Sequence, residues 1–111
     1  MRKKEIRQAF EIVKKDLRVS EEKNWMRGYY QLANRIAVLY FLTKHDVPAY
    51  LLLIYFIGDR SSRMRKCPQS KEEWEEILTA QEEHVGITKG HILEDRIHKL
   101  FLTVDGKVVH R

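Results

Sequence analysis

The sequence predicts an α/β fold, with three helices packed on a small sheet of two or three strands in a single domain. Three observations lead there. Two stretches in the first half repeat apolar residues at helical spacing. A nine-residue run, Ala49 to Ile57 (AYLLLIYFI), is apolar without alternation, as strands covered on both faces are. Beyond Gly86 the chain turns to short strand-like runs around Asp105-Gly106, a hairpin signal. At 111 residues there is room for one hydrophobic core and no second.

Taken in order, Ile6, Ala9, Phe10, Val13 and Leu17 form the buried stripe of an amphipathic helix over about 3–17. Val19-Ser20-Glu21-Glu22 reads as a break and restart. Ser20 is suited to cap a second helix, and the two carboxylates suit its dipole. That helix is expected over about 22–44, loosened near Gly28, with Trp25, Tyr29, Leu32, Ala33, Ile36 and Tyr40 on its stripe. From Ala37 to Leu42 it is apolar nearly all round, which predicts burial on several sides. His45-Asp46-Val47-Pro48 ends it, because proline disfavours helix in the residue before it.

The apolar run over 49–57 follows as an interior strand, closed by Gly58-Asp59 and a basic loop to Gln69. Ser70-Lys71-Glu72-Glu73 is a capping-box pattern that opens a third helix over 71–85. Trp74, Ile77 and Leu78 supply its apolar face, and Gly86 ends it. A turn over 87–91 and a short helical turn lead to strands over about 99–104 and 107–110. This count is awkward. The central strand asks for cover on both faces and both edges, and so small a sheet is barely stable alone. A three-layer-like fragment is therefore expected, whose free strand edge a second copy of the chain or another polypeptide must cover.

Hydrophobic residues are 43% of the chain, enough for a core, and charged residues 33%, enough to wet the remaining surface. The net charge of +5 favours contact with polyanions, through release of phosphate counterions. Cys67 is the single cysteine, so no internal disulfide forms. No signal core follows Met1, and the longest apolar run is too short to span a bilayer as a helix. The cytoplasm is the expected compartment, with no membrane partner.

No catalytic set emerges from the residues. Glu21-Glu22-Lys23 has the spacing of an acid-x-lysine nuclease triplet, but lies at a helix start where carboxylates offset the dipole. His84, His91 and His98 recur every seven residues, yet Gly86 and Gly90 break any helix that would bring them together on zinc. No serine or cysteine stands in a nucleophile context, and no glycine-rich phosphate loop occurs. No metal site and no cofactor are expected. Two polar groups remain. Arg60, Arg63, Arg65 and Lys66 crowd the loop after the central strand, where they would clamp phosphates. Gln31, Asn34 and Arg35, three and four apart, share one face of an apolar helix and form a polar patch.

The stretch from Trp25 through Tyr29-Tyr30-Gln31-Leu32-Ala33-Asn34-Arg35-Ile36-Ala37, with Val47-Pro48-Ala49, resembles an uncharacterised bacterial family. So do Ile54 to Asp59, Cys67-Pro68 with Trp74, and Arg96 to Leu102. That family looks like part of the PD-(D/E)XK nuclease-like superfamily. The resemblance implies that the second helix and the central strand are the last pieces of the superfamily core. The acid-bearing strands would then lie before Met1. It also implies that Gln31 faces the place where a metal would sit, with magnesium bound only if another chain completes the site. The acids and lysine of the family's motif have no counterpart here. The expected function is a non-catalytic, nuclease-superfamily-like module that binds nucleic acid or a partner polypeptide, the alternative being a structural homo-oligomer. Expected partners are a second copy of the chain or a missing N-terminal half, with DNA as a further candidate.

Overall fold

The computed structural model describes residues 3–58, 68–87, 89–103 and 108. Helix α1 spans Lys3–Asp16, α2 Tyr30–Lys44 and α3 Lys71–Val85, with strands β1 at Leu51–Ile57 and β2 at Ile97–Thr103. A single 3₁₀ turn, Glu94–Arg96, leads into β2. The strands pair in parallel, from Leu51 opposite Ile97 to Ile57 opposite Thr103. Parallel neighbours cannot be joined by a hairpin, and α3 supplies the crossover. The expected third strand touches the described residues at one point, an antiparallel bridge between Leu102 and Val108.

The second helix begins eight residues later than expected, at Tyr30 rather than near residue 22. Gly28 and Tyr29 both have positive φ, 70° and 54°, which a helix cannot continue through. The Ser20 hydroxyl accepts from Glu22 N–H in a local turn, and Asn24 Oδ1 accepts from the amides of Met26 and Arg27. Side chains from other elements then hold the loop down. Lys14, on α1 and 4% exposed, donates to the carbonyls of Glu21 and Lys23 at 3.3 and 2.7 Å. Trp25 is buried and donates from Nε1 to the Val85 carbonyl at the end of α3. Trp25 and Tyr29 thus belong to a loop and not to a helical stripe.

The third helix behaves as its local sequence dictates. Ser70 Oγ accepts from Glu73 N–H at 3.2 Å, while the Glu73 carboxylate accepts from Gln69 N–H at 2.7 Å. Gly86, at φ 80°, ends the helix in the left-handed conformation.

Odd-numbered strand residues face the helices. Leu51 and Ile97 join the main core of Phe10, Val13, Leu17, Trp25, Ile36 and Tyr40, which lies between α1, α2 and the sheet. Tyr55, Ile57 and Phe101 meet Leu78 and Trp74 of α3 in a second cluster. Both α2 and α3 therefore cover the same face. The expectation of a strand buried on both sides does not hold: Leu52, Ile54 and Phe56 remain 53, 45 and 51% exposed. An unbroken apolar run prescribes no particular side, and the described helices cover only one. On α2, likewise, Val38 and Leu42 stay exposed.

Candidate functional site

β2 pairs with one edge of β1, and along the opposite edge no strand pairs among the described residues. A groove of about 720 Å³ runs there. Five consecutive β1 residues, Leu51 to Tyr55, line it. Because neighbouring strand residues point to opposite faces, a groove touching all five must run along the backbone edge. The open stretch stops at Phe56, whose carbonyl accepts from Trp74 Nε1 at 2.7 Å.

The opposite wall comes from the turn at Gly28-Tyr29 and the first turns of α2. Glycine suits position 28, where φ is 70° and a Cβ would stand 3.0 Å from the His84 ring, closer than most such contacts. His84 Nε2 in turn lies 2.9 and 2.7 Å from the Asn24 and Arg27 carbonyls, so it carries the proton and donates to them. This fixes the loop that sets the wall. Of the expected polar patch, Gln31 and Arg35 line the groove, whereas Asn34 does not. All three are exposed, and among the described residues their side chains make no hydrogen bond or ion pair. Gln81 of α3 also lines the groove. Burial raises the pKa of the Tyr55 hydroxyl, while the neighbouring Gln81 side chain and the Lys99 charge oppose the shift. Among the described residues of the lining, Arg35 is the only charged one and none is a carboxylate.

The other expected residues fall elsewhere. Arg60, Arg63, Arg65, Lys66 and Cys67 lie outside the described residues. The three histidines have separate roles. His84 anchors the loop, His98 lies beside Tyr50 with ring centroids 6.0 Å apart, and His91 accepts from Leu93 N–H through Nδ1. Burial lowers the His91 pKa, with Glu94 opposing it. His91 and Lys89 stand at the rim of a smaller cavity of about 320 Å³ floored by Leu32, Ile36, Leu53 and Val85. No cluster of three or more histidine, cysteine or acidic side chains suited to a metal occurs among the described residues. No helix among them is long and apolar enough to cross a membrane.

Sequence reasoning did not find Gly28, Tyr29 or Gln81 as groove residues. The positive φ at Gly28 had a local signal in the glycine itself, but Gln81 reaches the groove only through the packing of α3. Compared with known proteins, the chain matches no family model, no curated protein and no solved structure.

Proposed function

We propose that the chain is a non-catalytic, nuclease-superfamily-like binding module whose ligand is another polypeptide. The ligand is an extended strand bearing a carboxylate, taken up along the open edge of β1. The observation that carries this reading is the groove along the backbone of Leu51 to Tyr55. An added strand gains main-chain hydrogen bonds there and removes an edge that folded sheets otherwise protect. Charge complementarity specifies the ligand. Arg35 has no partner in a lining without carboxylates, and its guanidinium suits two-point recognition of one. Gln31 adds an amide able to donate and accept beside it. Contact with nucleic acid is a narrower proposal supported by the net charge of +5.

Hydrogen exchange with two synthetic peptides tests the polypeptide reading. Both peptides alternate valine with threonine and differ only in a central glutamate or lysine. The glutamate peptide is expected to slow exchange at Leu52 and Ile54, whose amides share the open edge with the Phe56 carbonyl, and the lysine peptide is not. Arg35→Glu is expected to reverse that preference. If neither peptide protects these amides in the folded chain, strand uptake is wrong.

A further inference from the structure

The side of the sheet turned away from the helices presents a second surface, which shares Leu52 and Ile54 with the edge groove but not its Arg35 wall. Its rows are Tyr50, Leu52, Ile54 and Phe56 along β1 and His98, Leu100 and Leu102 along β2, with Leu52 beside His98, Ile54 beside Leu100 and Phe56 beside Leu102. Tyr50 is 68% exposed. The β1 row alone leaves roughly 400 Å² of largely apolar surface open, as large as the most extensive apolar patch of an ordinary monomer. Parallel sheets are otherwise found with both faces covered.

From this face we infer that two copies of the chain stack sheet against sheet about a twofold axis. Charge supports this occupant. Copies carrying +5 each repel overall, and a face without charged groups adds least to that repulsion where they meet. Within β1 and β2 neither outer row contains a lysine, arginine, aspartate or glutamate, and Arg96 enters only beside Tyr50 just before the strands, although the chain as a whole is 33% charged. The area agrees as well. Two β1 rows brought together remove about 800 Å² from water, and the exposed His98 with the half-buried Leu100 and Leu102 carries the total toward the ~1,200 Å² at which specific interfaces begin. Twisted sheets stack about 10 Å apart with their side chains interdigitated, and an apolar row is complementary to its own twofold mate. The polar groups lie at one end, where the Arg96 guanidinium stands 5.6 Å from the Tyr50 ring and donates to the Ala49 carbonyl. They form a wet rim to a dry centre.

Sedimentation equilibrium of the full chain, from micromolar to submillimolar concentration, is expected to show a reversible dimer of twice 13.3 kDa. Ile54→Lys places a charge at the centre of the stack and is expected to weaken the dimer by at least about tenfold. Its far-UV circular dichroism should be unchanged, since the side chain faces solvent in the monomer. Arg35→Glu, which alters the edge groove, is expected to leave the dimer intact and so separates the two surfaces. Should Ile54→Lys fail to fold, a spin label on Ile54→Cys in a Cys67→Ser background decides, with a short label-to-label distance expected across stacked sheets. A monomer throughout the concentration range would leave the face to some other partner and overturn the inference. So would a dimer indifferent to Ile54→Lys, or labels held far apart.

Discussion

Lys14 reads in the sequence as one more cation on a wet helix face, yet it is among the most buried side chains of the molecule. Its ammonium bridges Glu11 on its own helix and two carbonyls of the following loop. Lys14→Met keeps the apolar stem but leaves those carbonyls without their donor. It is expected to cost about 2 kcal/mol in urea unfolding. Tyr40 offers a test by pH. Burial, then its hydrogen bond to Asp16 and the charge of that carboxylate, raise its pKa from 10.0 to about 12. The fold favours the neutral phenol, so this contribution is whole below pH 10 and is lost as pH rises through about 12. Unfolding midpoints are expected to fall over that window, and to fall less in Tyr40→Phe. An equal slope in both proteins would exclude Tyr40 as the source.

Among the elements, α3 and α2 show what makes a boundary readable. Ser70, Glu73 and Gly86 act on backbone groups within a few residues of themselves, so their sequence announces both ends of α3. The start of α2 had an equally plausible announcement in Ser20-Glu21-Glu22, and it misled. The loop there is held by Lys14 from α1 and by Val85 and His84 of α3, which no local pattern reveals. Gly86 belongs to both stories. At φ 80° it ends α3, and a Cβ on it would lie 2.6 Å from Lys23 Cγ in the loop. Gly86→Ala is expected to lose about 1–2 kcal/mol from the left-handed backbone alone. Calorimetry of Gly86→Ala with Lys23→Ala is expected to recover only the steric part of the loss.

At the scale of the whole molecule, helices cover one face of a two-stranded sheet, and no described helix or strand covers its other face or the free edge of β1. The edge and the face differ in chemistry, a single guanidinium against an uncharged apolar field, and are therefore proposed to take different partners. Net charge is likewise a property of the whole. With +5 spread over 111 residues, contact with duplex DNA is expected to weaken steeply as salt rises. Arg63→Ala and Arg65→Ala should each flatten that salt dependence. Binding that ignores ionic strength, measured by fluorescence anisotropy, would show that the charge is not what holds the DNA.

By itself the sequence determined the α/β class, the span of α1, the position of β1, both ends of α3 and the polar character of Gln31 and Arg35. These follow from periodicity and from hydrogen bonds closed within a few residues. Only the tertiary structure decided where α2 begins, which face of β1 is covered, and that Gln31 and Arg35 look onto an open strand edge while Asn34 does not. Each of those outcomes is set by groups far apart in the chain, and an apolar run carries the same pattern whichever of its sides is buried.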